Sequence, residues 1–178
     1  MSRNINAGIV RHGFTMIELL VVVAILAIAA AIVVPMASSA GSMQLRAAVN
    51  MVAADLEYAK SMSISRGQRY AVIFDKTAGI YYRYRVVDQS ENPVPHPITK
   101  RPEYVVTLCN PDDRRLDQVQ IASVDFDGMD KVGFESLGSP FNGGGAGLNK
   151  GEVTLQAGGI TKIVKVEAVT GYISVVSN

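Results

Sequence analysis

Apolar and polar positions follow three successive regimes along this chain. From Phe14 to Val34 nearly every residue is apolar, and only Thr15 and Glu18 interrupt the run. The run matches the about 20 residues that one helical bilayer crossing takes. A helix satisfies its own backbone polar groups, so it is what a single segment forms there. The period then changes. Leu45, Val49, Val52, Leu56 and Ala59 keep the three-and-four spacing of one helical face, while Arg46, Asn50, Asp55, Glu57 and Lys60 fall largely off it. This predicts an amphipathic continuation of the helix over 36–67, with Gly67 as its stop and Arg66 at the negative end of its dipole. Pro35 removes one backbone donor and predicts a kink or local unwinding, and Gly41 is a second weak point. A helix unbroken from Phe14 to Arg66 would run roughly 80 Å at 1.5 Å per residue.

The third regime, 68–178, reads as β-structure. Strands are expected over Tyr70–Asp75, Ile80–Val87, Tyr104–Leu108, Gln118–Phe126, Lys131–Phe134, Glu152–Ala157, Ile160–Ala168 and Tyr172–Val176. Turn chemistry separates them at 77–79, at Asn110-Pro111-Asp112-Asp113, at Gly158-Gly159 and at Thr170-Gly171. Two stretches resist regular structure. One is the excursion Asp88–Glu103 with Pro93, Pro95, Pro97 and Pro102, expected to be exposed; the other is Gly138–Gly151, expected to be a flexible connection. The fold class is therefore α+β, a long N-terminal helix packed on an antiparallel β-sheet head. Its organisation is a leader 1–13, a membrane helix 14–35, its amphipathic continuation 36–67, and a β-rich head 68–178.

Glu18 is the anomaly of the apolar run. A carboxylate there costs a few kcal/mol in lipid and needs a partner. If the chain is cut between Gly13 and Phe14, the new α-amino group of Phe14 lies one helical turn from Glu18. The amine of a neighbouring subunit's Phe14 is also within reach.

Gly13-Phe14-Thr15-Met16-Ile17-Glu18-Leu19, preceded by a basic leader and followed by a long apolar helix, resembles the class III signal of type IV pilins and type II secretion pseudopilins. The resemblance implies that prepilin peptidase cuts after Gly13 and methylates Phe14, and that Glu18 and Pro35 serve assembly. Pro35 stands where many pilins carry a helix-kinking proline. The later order is similar to H-type minor pseudopilins and related minor pilins: Ala59-Lys60-Ser61, Arg66-Gly67-Gln68, Val132-Gly133-Phe134, Leu137-Gly138, a glycine loop, Val153-Thr154-Leu155 and Thr170-Gly171-Tyr172-Ile173. The excursion at 88–103 departs from their simpler pattern. The implied function is that of a minor pseudopilin in the pseudopilus of a type II secretion system, driving protein export. The alternative is a minor pilin of a type IV pilus, with possible DNA uptake. Implied partners are other pseudopilins or pilins, prepilin peptidase and the bacterial inner membrane, with a short cytoplasmic leader and a periplasmic head. An ordinary secretory signal ending near Ser38-Ser39-Ala40 competes, but such signals rarely carry a glutamate and have shorter apolar cores.

Composition narrows the chemistry. Seventeen basic and 16 acidic residues nearly balance, for a net charge of +1. Arg3 and Arg11 leave with the leader, so no strongly basic body advertises nucleic acid. The tyrosine–arginine alternation of 81–85 is of a kind that binds nucleic acid by stacking and charge, yet a half-exposed strand with its arginines in water explains it as well. Lys150, Lys162 and Lys165 lack an arginine cluster, which further disfavours DNA. Cys109 is the only cysteine, so no internal disulfide forms. No base for a catalytic thiol stands out, with His12 in the leader and His96 in the proline-rich excursion. Neither enzymatic activity nor a cofactor is expected. Asp125, Asp127 and Asp130 surround Gly128 as a weak calcium candidate, but the spacing is not that of an EF-hand and a solvated turn is the simpler reading.

Overall fold

The computed structural model describes residues 14–77, 80–110 and 115–177; the side chains of 32–40, 77 and 80–82 are outside that description. The chain divides into two compact units, Met1–Ser38 and Ser39–Asn178. One helix, α1 (Met16–Arg66), has residues in both. The strands are β1 (Tyr70–Thr77), β2 (Ile80–Val87), β3 (Val105–Thr107), β4 (Gln120–Phe126), β5 (Lys131–Phe134), β6 (Pro140–Asn142), β7 (Gly151–Ala157), β8 (Ile160–Val166) and β9 (Ile173–Ser177).

Within the N-terminal unit, α1 opens on Thr15. The Glu18 N–H donates to Thr15 Oγ1 at 3.3 Å and the Leu19 N–H to the Thr15 carbonyl at 3.2 Å. Threonine before the first turn and glutamate three residues later form the pairing that starts helices. The glutamate also faces the positive pole of the helix dipole. Every side chain described from Phe14 to Ala31 is exposed, Phe14 at 80% and Met16 at 86%.

In the second unit the helix buries one face. Leu45, Val49, Val52, Leu56 and Ala59 are all at most 1% exposed, as their spacing demanded. Burying each aliphatic side chain of valine or leucine size contributes about 1.5–3 kcal/mol. They pack on the inner face of the sheet, against Val72, Phe74, Tyr84, Val86, Phe126 and Leu155 among others. The sheet is antiparallel throughout, with order β6-β5-β1-β2-β4-β7-β8-β9 and β3 beside β2. A helix packed on an antiparallel sheet is the α+β architecture expected.

Four local readings need correction. Gly41 is no weak point: it is buried within α1, and a Cβ there would stand 3.5 Å from the Gly158 backbone nitrogen and 3.1 Å from Gln118 Oε1. Its missing side chain lets the helix approach the β7–β8 turn. That turn has Gly158 and Gly159 at φ 56° and 78°, as a tight two-residue hairpin requires. Within the glycine-rich stretch, Pro140–Asn142 forms β6, because the Phe141 ring covers Gly133 on β5, its cross-strand partner. The outer edge of β6 is closed by its own following loop, through Asn142 N–H to Ala146 O at 2.8 Å and Leu148 N–H to Pro140 O at 3.1 Å. Among the described residues, β9 at the opposite border pairs only with β8. The proline-rich excursion is not simply exposed either. Val94 is buried and exchanges backbone hydrogen bonds with Val86 and Tyr104. The fourth correction, Asp55, belongs to the next section.

Candidate functional site

Gly13 lies outside the described residues. Phe14 precedes the first turn of α1 and is exposed, and Glu18 lies within that turn, also exposed. The Thr15 hydroxyl and the Glu18 backbone are tied together, so the helix begins immediately after Phe14. A chain end created there would carry its amine at the threshold of the helix. Pro35 falls within the span of α1, and its side chain is outside the described residues. Among the described residues no helix is long and apolar enough to cross a membrane. In the N-terminal unit the described side chains of α1 end at Ala31, whereas the apolar run of the sequence continues to Val34.

The second unit contains a polar cluster that the sequence pattern placed at the surface. Asp55 is only 6% exposed. The Tyr84 hydroxyl of β2 donates to its Oδ2 at 2.6 Å, and the Tyr104 hydroxyl, at the end of the proline-rich excursion, donates to its Oδ1. Burial raises the Asp55 pKa above its ordinary value, against the opposing pull of the two hydroxyls and of His96. Both tyrosine pKa values are raised as well, first by burial and then by the adjoining carboxylate. Tyr104 also packs against the Tyr58 ring of α1 and the His96 ring of the excursion, at 5.6 and 4.2 Å between centroids. His96 Nδ1 accepts from the backbone N–H groups of Ile98 and Thr99. One buried carboxylate thus joins helix, sheet and excursion. The signal was present: Asp55 stands three residues after Val52 and four before Ala59, on the buried stripe.

The other candidates are dispersed. Asp125 accepts from the Gly128 N–H at 2.8 Å and pairs with Lys150 at 2.8 Å. Asp127 accepts from Asn142 Nδ2 and from the backbone N–H groups of Asn149 and Lys150. These partners hold both carboxyls below the usual carboxylate range, Asp125 chiefly through Lys150 and Asp127 chiefly through the Asn149 N–H. Asp127 and Gly128, at φ 56° and 81°, form the tight turn between β4 and β5, and Asp130 contributes its carbonyl to the Phe74 N–H. The turn pins the glycine loop. Among the described residues no three His, Cys, Asp or Glu side chains converge as metal ligands.

The basic residues weighed for nucleic acid have acidic or polar neighbours. Arg83 and Arg85 flank Asp75 across β1 and β2, at 2.9 and 3.6 Å. Lys150 and Lys165 both reach Glu152, and Lys162 donates to Ser177 Oγ. Tyr81 and Tyr82 have side chains outside the described residues. Cys109 is an exposed thiol.

Crystal structures of the type IV minor pilin FimU of Pseudomonas aeruginosa, in space groups P65 and P21, are similar at TM-scores of 0.48 and 0.47, each at 12% identity. The matches cover 74% and 77% of this chain and 92% and 90% of those chains. Likeness at this level assigns no residue a role. No curated protein matches the chain. Residues 10–34 match the family model of the prokaryotic N-terminal methylation motif. Gly13, Phe14 and Glu18 all fall inside that match, so the chain carries the prokaryotic N-terminal methylation motif at the start of α1.

Proposed function

We propose that the chain is a structural subunit of a type IV pilin-like filament, cut after Gly13, methylated on Phe14 and anchored in the bacterial inner membrane by the apolar start of α1. Within that class we read it as a minor pseudopilin of a type II secretion system. The observation that carries the proposal is the methylation motif over residues 10–34 set on a helix whose apolar side chains, Phe14 to Ala31, are all exposed. Such a surface is stable only in lipid or against other apolar helices. In a filament core, Glu18 would find its counter-charge in the Phe14 amine of an adjacent subunit. A subunit out of axial register would leave a carboxylate unpaired in apolar surroundings, which is strongly unfavourable. Pro35 serves assembly in this reading by letting the helix adapt as it leaves lipid. The role of the protein is structural, with no catalytic residue assigned.

The test is mass spectrometry of the membrane-extracted protein from cells with and without prepilin peptidase. The expected mature chain begins at N-methylated Phe14 only when the peptidase is present. A chain beginning after Ala40, or retaining Met1 with the peptidase present, overturns the proposal. Cross-linking the processed protein to secretion-system pseudopilins, rather than to pilus subunits, tests the finer reading.

A further inference from the structure

Val169, on the turn between β8 and β9, has φ 66°, a left-handed conformation that a β-branched residue adopts only under strain. Its side chain is 79% exposed, so packing within the second unit does little to offset that cost. The rest of the turn is firmly held. The Glu167 N–H donates to Tyr172 O at 2.9 Å, the Gly171 N–H to Glu167 O at 3.0 Å, and Lys60 Nζ of α1 to Gly171 O at 3.0 Å. The turn also touches the one between β5 and β6, where a Cβ on Gly171 would stand 2.7 Å from Gly138 O. Together the two turns present Leu137, Val169 and Tyr172, all exposed. This end of the unit is therefore an apolar knob bearing one phenol.

The opposite end, beside Gly41 of α1, carries a cavity of about 250 Å³ lined by Gln118, Gln120, Gln156 and the Gly158-Gly159 turn. Gly41 and Lys60, which mark the two ends, lie roughly 28 Å apart along the helix at 1.5 Å per residue. A cavity of about 150 Å³ holds a benzene ring, so this one has room for a phenol. Its side-chain amides can both donate to and accept from the hydroxyl. Ile160, exposed beside the glycine turn, supplies an apolar rim.

We infer that the knob of one copy of this chain docks into the glutamine-lined cavity of the next, with Tyr172 inserted and Leu137 and Val169 packed around its mouth. The inference rests on the filament reading above, because copies whose α1 helices run parallel meet end to opposite end. Pairing knob with knob would need antiparallel helices and would leave each phenol without its amide partners. The contact joins two different surfaces, so it repeats without closing, as a filament requires. The strain at Val169 is then held for a contact made only on assembly.

The test is cross-linking of the full chain in neutral detergent micelles with a short bis-maleimide, every variant carrying Cys109→Ser. Ser136→Cys, beside Leu137, marks the knob, and Thr161→Cys, beside Ile160, marks the cavity. An equimolar mixture of the two chains should give a dimer that neither gives alone. Thr99→Cys, on the proline-rich excursion, should not replace Thr161→Cys. Tyr172→Ala should lower the yield about tenfold. Val169→Asn should lower it about threefold while raising the thermal midpoint by about 2–4 °C, because asparagine tolerates the left-handed region. The uncut and the processed chain serve equally, so the outcome is independent of the cleavage that mass spectrometry tests. No dimer from the mixture, an equal dimer from Ser136→Cys alone, a yield indifferent to Tyr172→Ala, or a midpoint that does not rise in Val169→Asn overturns the inference.

Discussion

Replacing Asp55 by alanine removes the acceptor that two tyrosine hydroxyls share beneath the proline-rich excursion. Tyr84 is 1% exposed and Tyr104 5%, so neither hydroxyl gains water in exchange. A buried donor left without a partner costs about 1–3 kcal/mol, and here two are stranded. Relief of a desolvated carboxylate works in the opposite direction, since burial is the leading reason the Asp55 pKa is raised. The net expectation is a loss of about 2–4 kcal/mol. With a urea dependence of about 2 kcal/mol per molar, the midpoint falls by about 1–2 M. Far-UV circular dichroism is the suitable readout, because the chain contains no tryptophan. Replacing the whole cluster, Asp55→Leu with Tyr84→Phe and Tyr104→Phe, should cost less than Asp55→Ala alone, because nothing polar is then stranded. The pH dependence follows from the raised pKa. The folded state holds the Asp55 proton more tightly than the unfolded chain, whose value is near 3.8, so this group's contribution to stability falls as pH rises through the window above 3.8. Asp55→Asn should lack that slope. A midpoint for Asp55→Ala within about 0.3 M of the parent, or an unchanged slope in Asp55→Asn, refutes the reasoning.

Further outcomes follow from the same geometry. Gly41→Ala should be near neutral in thermal melts, because its helix propensity gain of about 1 kcal/mol offsets a 3.1 Å contact with the exposed, adjustable Gln118; Gly41→Val should lower stability by about 1–3 kcal/mol against the Gly158 backbone. Gly171→Ala should cost more than Gly145→Ala in the same assay: both have positive φ, worth about 1–2 kcal/mol, but only at Gly171 does the added Cβ meet a backbone atom, Gly138 O at 2.7 Å. Asp127→Ala should raise hydrogen exchange at Asn149 and Lys150, whose N–H groups it holds, and unchanged protection there would deny the turn its pinning role. Glu18→Ala should be cleaved normally yet enter filaments poorly, as followed by immunoblot of the processed form and of sheared filaments; normal incorporation would remove Glu18 from assembly.

The sequence declared most of the elements and little of what joins them. Leu45, Val49, Val52, Leu56 and Ala59 could be read as a buried face because apolar side chains at helical spacing have few other uses. Asp55 shares that spacing, yet an aspartate on a helix is ordinarily solvated, and its two partners come from residues 29 and 49 positions away. Long-range polar pairing leaves no local trace. Strands β2 and β5 matched their expected limits, since alternation and turn residues bracket them. β6 did not show, because its stability lies in the ring of Phe141 filling the space above Gly133 rather than in any run of strand-forming residues. Gly41 misled for the complementary reason: a glycine within a helix signals weakness unless the neighbour that needs its absent side chain is known. The N-terminal motif was the most legible part of the chain because its elements are contiguous.

Among the described residues the two borders of the sheet are unequal, one closed by its own loop at β6 and one, β9, paired only with β8, with no charged residue from Ile173 to Ser177 to guard it. A ribbon that grows without limit needs a receptive margin on each side. This head offers main-chain bonding at one margin of that ribbon, so two copies meeting through β9 would exhaust each other and growth by that route would stop at a pair. Capping a single border is therefore enough to keep this axis of the sheet from seeding fibres, even though the other border remains adhesive.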